Sequence, residues 1–236
     1  FIENSYKALA KVTNAYEQKM VMSREVIADK GIWTAKKRYI LNVHDSEGVR
    51  YNEPKLKIMG IEAVKSSTPK VCRNKIKEAL KIIMNEDSKV LNTFIQDFRS
   101  DFMKLTPEEI AYPRSVNGLE KFSSSNGMFA KGAPIHCKGA ILYNHLLKTK
   151  KLTKKYPLIQ EGDKIRFVHL RQPNVYTSSA FSFITSFPKE LDLKDKIDYD
   201  TQFTKSFVEP LKVISEKIDW WIDDSYGTQG TLDGFF

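Results

Sequence analysis

The side chains best suited to chemistry in this sequence are basic, and their spacing suits phosphate groups. Lys36, Lys37, Arg38 and Tyr39 stand together where a predicted strand begins, so alternate side chains would point to opposite faces. On a duplex laid along that strand, one set could reach phosphates while the other reached the minor-groove edge. A solvated strand end would explain the tetrapeptide equally well.

A second set of cations occupies one side of a predicted helix. Ser66 and Ser67 lead to Thr68 and Pro69, which predicts a helix with Thr68 as its N-cap and Pro69 in its first turn. Its apolar residues share one face. These are Cys72, Ile76, Ala79, Leu80 and Ile83, and the far side carries Lys70, Arg73, Lys77 and Lys81. A solvated helix face is the competing interpretation.

Charge is distributed in blocks along the chain. The net charge is +9, and residues 36–81 carry twelve basic against five acidic side chains. Residues 131–171 carry ten against two, whereas the segment from 186 onward is acidic. Two basic blocks predict a polyanionic partner, because cations that neutralise phosphates release condensed counterions. Composition leaves the kind of polyanion open.

Other classes of site have little support. Cys72 and Cys137 are too few for a disulfide framework or a four-thiolate zinc site, so we expect free thiols. The four histidines lack metal-binding spacing, no G-x-S-x-G elbow occurs, and no apolar run is long enough to span a membrane. We therefore expect no metal site, no catalytic residue and a cytoplasmic chain. Because it opens at Phe1, we also expect it to be a piece of something longer.

The order of predicted elements gives an α+β fold. Apolar periodicity predicts a packed helix over 1–22, and alternation predicts strands that form a β-hairpin. The interval 106–131 is punctuated by Pro, Gly and Ser and is predicted to be irregular. Strands are predicted at 20–27, 38–43 and 55–59, with a loop at 44–50. A helical hairpin is predicted to follow, ending at Met103. The remaining predicted elements are a helix at 135–147, a strand at 164–170 and a helix at 203–222.

The last eight residues have the pattern Q-x-x-L-x-x-F-F. One tight turn would place Leu232 beside Phe235 and Phe236 as an apolar plug, while Gln229 anchors it by hydrogen bonds. This pattern is typical of short tails that dock on sliding clamps. In the alternative interpretation, the aromatic residues fold back onto the rest of the chain.

Three ordered motifs carry a resemblance to a known family. K-K-R-Y-I-L-N-V at 36–43, E-P-K-L-K-I-M-G at 53–60 and K-S-S-T-P-K at 65–70 resemble the B-family replicative DNA polymerases of the T-even-like phages. Weaker similarity includes 20–25, 135–139 and 160–164. The resemblance implies the end of a polymerase palm, a helix plus an antiparallel β-hairpin, at 1–66. A mostly helical thumb would occupy 67–225, and a flexible clamp-binding tail 226–236.

The resemblance also implies partners and roles. The first motif would grip the primer strand, the second would contact the duplex from the palm, and the third would open the thumb. Primer-template DNA, a sliding clamp and an N-terminal polymerase portion with exonuclease, palm and fingers would be the partners, in the host cytoplasm. The implied DNA-binding residues are Lys36, Lys37, Arg38, Tyr39, Lys55, Lys57, Lys70, Arg73 and Lys77, and the clamp-binding residues are Gln229, Leu232, Phe235 and Phe236.

The family's catalytic motifs are missing from the sequence. Neither D-x-x-S-L-Y-P nor Y-G-D-T-D-S occurs, so we expect another part of the nucleotidyltransferase to hold the Mg²⁺ ions and this chain to be inactive alone. Glu25 matches an accessory acidic position, but Ser23 stands where the family has aspartate. A stand-alone DNA-binding accessory factor recruited by a clamp is the alternative function. A basic domain that binds a membrane surface or RNA is a third.

Overall fold

The computed structural model describes residues 1–17, 19, 21–124 and 129–223. In this part of the chain, helices accompany two antiparallel sheets of three strands each, so the predicted α+β class is confirmed. One hydrophobic core runs from Ile40 in the first sheet to Ile222 near the end of the described chain.

The first sheet has three strands, but the strand predicted at 20–27 is wrong in its bounds, since it runs over Val26–Ala35 instead. β1 (Val26–Ala35), β2 (Arg38–Ser46) and β3 (Val49–Met59) pair in that order. The loop predicted at 44–50 is wrong, because the turn is confined to Glu47 and Gly48, both with positive φ. Such a two-residue turn matches the twist of the flanking strands. The side chain of Asp45 supports it by accepting a hydrogen bond from Gly48 N at 3.0 Å.

The predicted packed helix at the start of the chain is wrong in length and in burial. Helix α1 covers Ile2–Val12, and none of its residues is buried. It ends at Thr13, and Asn14 follows with a φ of 51°. Leu9 and Val12 remain 50% and 84% exposed, so the apolar spacing marks a side of the helix that the described residues do not cover.

The predicted helical hairpin is confirmed. α2 spans Lys70–Asn85 and α3 spans Ser88–Phe102, with Asp87 capping α3 through Lys89 N and Val90 N. The N-cap of α2 is Pro69 rather than the predicted Thr68, because Pro69 has an extended ψ of 141°. The buried residues of α2 include the whole predicted apolar face: Cys72, Ile76, Ala79, Leu80 and Ile83.

The segment predicted to be irregular contributes to a second sheet. It contains α4 (Pro107–Ile110), β4 (Tyr112–Ser115) and α5 (Leu119–Phe122). β4 pairs with β5 (Lys164–His169), which pairs with β6 (Ala180–Phe183). Region 67–225 is therefore less helical than expected. Pro113 argued against a strand in the sequence, because proline within a strand is accommodated mainly at a sheet edge. β4 is such an edge strand.

The helix predicted at 203–222 is interrupted. α7 (Tyr199–Phe203) continues into a π-helical turn (Thr204–Val208) and then α8 (Glu209–Ser215). Pro210 cannot donate a backbone hydrogen bond and its ring crowds the preceding turn, which accounts for the widened turn before it. Phe207 from this turn packs edge-on against Phe98 of α3, with ring centroids 4.7 Å apart.

Helix α6 (Ile135–Thr149) packs on β6 through Gly139. A Cβ at this position would lie 2.5 Å from Ser182 Oγ and 2.8 Å from Ser182 N. Ser182 Oγ donates to His136 O at 2.9 Å, which fixes the contact on the other side. Close packing of helix and sheet therefore explains the glycine in the I-H-C-K-G segment.

His169 joins three elements through Gln202 of α7. Gln202 Oε1 accepts from His169 N at 3.0 Å and lies 2.8 Å from His169 Nδ1, while Gln202 Nε2 donates to Ile110 O at 2.7 Å. Burial lowers the pKa of His169, against the opposing effect of the Gln202 hydrogen bond. The native fold therefore favours the neutral imidazole.

Replacing Gly139 by alanine should destabilise the fold by about 1–3 kcal/mol, because the added methyl overlaps backbone of β6. In an unconstrained helix, the same change stabilises by about 1 kcal/mol, so the sign is diagnostic. Thermal unfolding followed by circular dichroism measures it. His145→Ala, at an exposed position of the same helix, is the control. An unchanged or raised Tm for Gly139→Ala would contradict the contact.

The free energy of unfolding should fall as the pH drops below about 6.5, because the unfolded chain takes up a proton on His169 that the native fold resists. Urea titrations at pH 7.5 and 5.5 measure this. In His169→Asn, the difference between the two pH values should shrink by about 1 kcal/mol. Equal pH dependence in both proteins would show that His169 makes no contribution.

Candidate nucleic-acid interface

The first basic motif forms the tip of the first sheet. Lys36 and Lys37 occupy the turn between β1 and β2 and are exposed, and Lys37 has a φ of 62°. The tip rests against Gly60 at the end of β3, where a Cβ would overlap the carbonyl oxygen of Lys37. The glycine of the second motif thus lets the turn of the first motif approach closely.

Glu62 links the first motif to the third. Its Oε2 lies 3.0 Å from Arg38 Nη2, and its Oε1 lies 2.7 Å from Lys65 Nζ. Partial burial would raise the pKa of Glu62, but the Lys65 hydrogen bond and the Arg38 charge outweigh it and the pKa is lowered. Arg38 is partly buried and already paired, which distinguishes it from the exposed Lys36 and Lys37.

Lys55 and Lys57 of β3 have different surroundings. Lys57 pairs with Glu25, and the hydrogen bond that Lys57 Nζ donates to that carboxylate raises the pKa of Lys57. Glu25, which matches an accessory acidic position of the family, therefore has a cationic partner. Lys55 Nζ lies 4.1 Å from the centroid of the Tyr51 ring, and Lys55 has no ion pair with a carboxylate of the described chain.

Lys55 meets the basic stripe of α2 across a groove. Lys77 and Lys81 line one wall and Lys55 lines the other, around a volume of about 650 Å³. Asn42 and Asn85 add amide groups to the lining. Within the described residues, neither Lys77 nor Lys81 has an ion pair. We call this the basic groove; cations from two elements converge there without internal neutralisation.

Lys70 and Arg73 lie in a separate cleft. It has a volume of about 510 Å³ and includes Arg166 of β5 as well as Glu108 and Glu109. Both carboxylates are bound elsewhere: Glu108 accepts from Phe187 N at 2.8 Å, and Glu109 accepts from Thr106 at 2.8 Å. The predicted stripe on α2 is thus divided between two concave surfaces.

Sequence reasoning omitted several lining residues from the candidate set. Lys81 continues the α2 stripe by one helical turn, so its spacing was a usable signal. Arg166, Asn42 and Asn85 reach these surfaces through tertiary packing, and no local pattern marks them. The predicted clamp-binding residues Gln229, Leu232, Phe235 and Phe236 lie outside the described residues.

The described part of the chain offers no metal site and no reactive thiol. Over residues 1–124 and 129–223, apart from 18 and 20, no three His, Cys, Asp or Glu side chains are grouped to hold a metal ion. Among those residues, no helix has the length and apolarity of a membrane span. Both thiols are free, as expected, and burial raises the pKa of Cys72 to about 12, so it is a poor nucleophile.

Two known proteins align with this chain over most or all of its length, although no family model matches it. The DNA-directed DNA polymerase of Enterobacteria phage T4 is 31% identical over 247 residues, covering 100% of the chain and 26% of that protein. The DNA-directed DNA polymerase of Escherichia phage RB69 is 34% identical over 224 residues, covering 89% of the chain and 24% of that protein. This chain is homologous to these phage DNA-directed DNA polymerases and spans about a quarter of their length.

Proposed function

We propose that this chain is the DNA-gripping, C-terminal portion of a B-family phage replicative DNA polymerase. The observation that carries the proposal is the basic groove, where Lys55 and Lys77 converge without a carboxylate between them. These lysines belong to elements that the sequence motifs had connected with DNA. The composition left the kind of polyanion open, and homology to phage DNA polymerases supports DNA as that partner.

The cations would hold primer-template duplex by its phosphates. Lys36 and Lys37 at the sheet tip, together with Lys55 and Lys77, offer exposed positive charge. Phosphate contacts carry no sequence information, which suits a replicative enzyme that must copy every sequence. Tyr39 would add a hydroxyl at the minor-groove edge.

The bond-forming chemistry would belong to the rest of the polymerase. Phosphoryl transfer with two metal ions needs carboxylates that bind both ions, and we assign these and the Mg²⁺ to an N-terminal portion with exonuclease, palm and fingers. In this division, residues 1–66 complete the palm and 67–225 form the thumb. The chain alone would then bind primed DNA without extending it.

The tail would recruit a sliding clamp. In residues 226–236, Leu232, Phe235 and Phe236 supply apolar anchors and Gln229 supplies hydrogen bonds, in the arrangement that short docking peptides use. Gly230 and Gly234 favour a flexible tether. The clamp would keep the duplex close to the basic groove between binding events.

Changing Lys55 and Lys77 together to glutamine should weaken binding of a primed duplex at low salt, because two phosphate contacts are lost. The slope of log affinity against log salt concentration should fall by about 1.8, near 0.9 for each contact. Fluorescence anisotropy with a labelled primer-template over a salt series measures both quantities.

The matched control removes equal charge from the second basic block. Lys151→Gln with Lys154→Gln changes two exposed lysines outside the basic groove. If the control pair lowers affinity and slope as much as the groove pair, the groove has no special role and general surface charge binds the duplex.

Deleting residues 229–236 should abolish stimulation of primer extension by the clamp, while affinity for primed duplex stays unchanged. The assay reconstitutes this chain with the catalytic portion and compares extension with and without clamp. A second variant, Phe235→Ala with Phe236→Ala, keeps the chain length. Full clamp stimulation in both variants would refute the assignment of the tail.

A further inference from the structure

An exposed apolar row crosses the first sheet beside its basic tip. The strand register places Trp33 opposite Tyr39 and Tyr39 opposite Met59, so all three side chains lie on the same face. The opposite face carries Ile32, Ile40 and Ile58 and joins the hydrophobic core. Trp33 is nevertheless 63% exposed and Met59 44% exposed. Trp33 and Met59 therefore present apolar surface to solvent, on the face of the sheet that points away from the hydrophobic core.

The position of the Trp33 indole is fixed by Gly31. A Cβ on Gly31 would lie 2.6 Å from Trp33 Cη2 and 2.7 Å from Leu41 Cδ2. The glycine thus provides the space in which the ring lies over the strand, and Leu41 beside it is 8% exposed. A ring held in this way loses little conformational entropy when a partner covers it.

The charges around the row indicate the chemistry of that partner. Lys36 and Lys37 border it at the tip and have no ion pair within the described residues. The carboxylates nearby are already occupied, Glu62 by Arg38 and Lys65, and Glu25 by Lys57. A partner with anionic groups next to flat apolar groups matches this surface, and a nucleic-acid strand with its phosphates, sugars and bases has that composition.

We propose that Trp33 and Met59 contact the sugars and base edges of the primer-template duplex next to Tyr39. The end of the sheet then holds the duplex by apolar contact as well as by charge. This inference rests on the proposed function; it adds Trp33, which lies outside all three motifs, and gives a role to Met59 within the second motif. Since apolar contact releases no counterions, the contribution of Trp33 is independent of salt, whereas that of Lys37 is not.

The experiment measures binding of the full chain to a fluorescein-labelled primer-template by anisotropy, over a series of salt concentrations. Trp33→Ala should weaken affinity about tenfold, because the apolar area that the duplex covers is lost, and should leave the salt slope unchanged. Met59→Ala should weaken affinity in the same direction. Lys37→Gln should reduce the salt slope by about 0.9.

The matched control is Trp221→Ala, which removes an exposed indole: Trp221 is 80% exposed, and its backbone carbonyl accepts a hydrogen bond from Asn92 of α3. Circular dichroism checks that each variant folds, and Trp33→Phe, which keeps a flat ring, should retain most of the affinity. If Trp33→Ala does not fold, Met59→Ala decides the question.

The outcomes separate the two proposals. Failure of the unaltered chain to bind primed duplex at low salt would overturn the proposed function. If the unaltered chain binds normally and the affinities of Trp33→Ala and Met59→Ala equal that of Trp221→Ala, this inference alone would be overturned. The exposed apolar row would then be a candidate contact for a protein partner. A change of salt slope in Trp33→Ala would contradict apolar contact as the cause.

Discussion

Burial of one face of α2 is the constraint on which the basic surface depends. Cys72, Ile76 and Leu80 are completely buried, and turning the helix about its axis would expose such side chains at roughly 1.5–3 kcal/mol each. The core therefore fixes the direction in which Lys77 and Lys81 point. Hydrophobic packing, rather than any ion pair from these lysines in the described chain, holds the two cations in the wall of the basic groove.

The sheet and α2 are joined by polar contacts as well as by the shared core. Lys30 Nζ of β1 donates to Met84 O at 2.8 Å near the end of α2, while Glu62 ties the tip of β2 to the segment that leads into α2. These contacts lie toward opposite ends of α2. Together they hold the first sheet against α2, and the basic groove lies between these two elements.

Local patterns predicted the elements that depend on local physics. The buried face of α2 and the helix at 135–147 followed from 3.6-residue periodicity, and β5 was placed within one residue. Patterns failed where tertiary contacts decide. β4 needs β5 as a partner, α1 has an apolar side that stays exposed, and the π-helical turn depends on Pro210 within a continuous apolar repeat. In the site, the second motif supplied Lys55 and the helical spacing of the cations supplied Lys77, but only packing shows that they share a groove.

The walls of the basic groove come from a strand and a helix that are separated along the chain by the turns around Gly60 and Ser67. The distance between opposing ammonium groups is therefore a property of the assembled fold and not of either segment. A synthetic peptide corresponding to α2 would keep Lys77 and Lys81 but lose the opposing Lys55. In the proposed function, affinity for the duplex would therefore depend on cooperative folding, and partial unfolding of either wall would lower it while every lysine was still present.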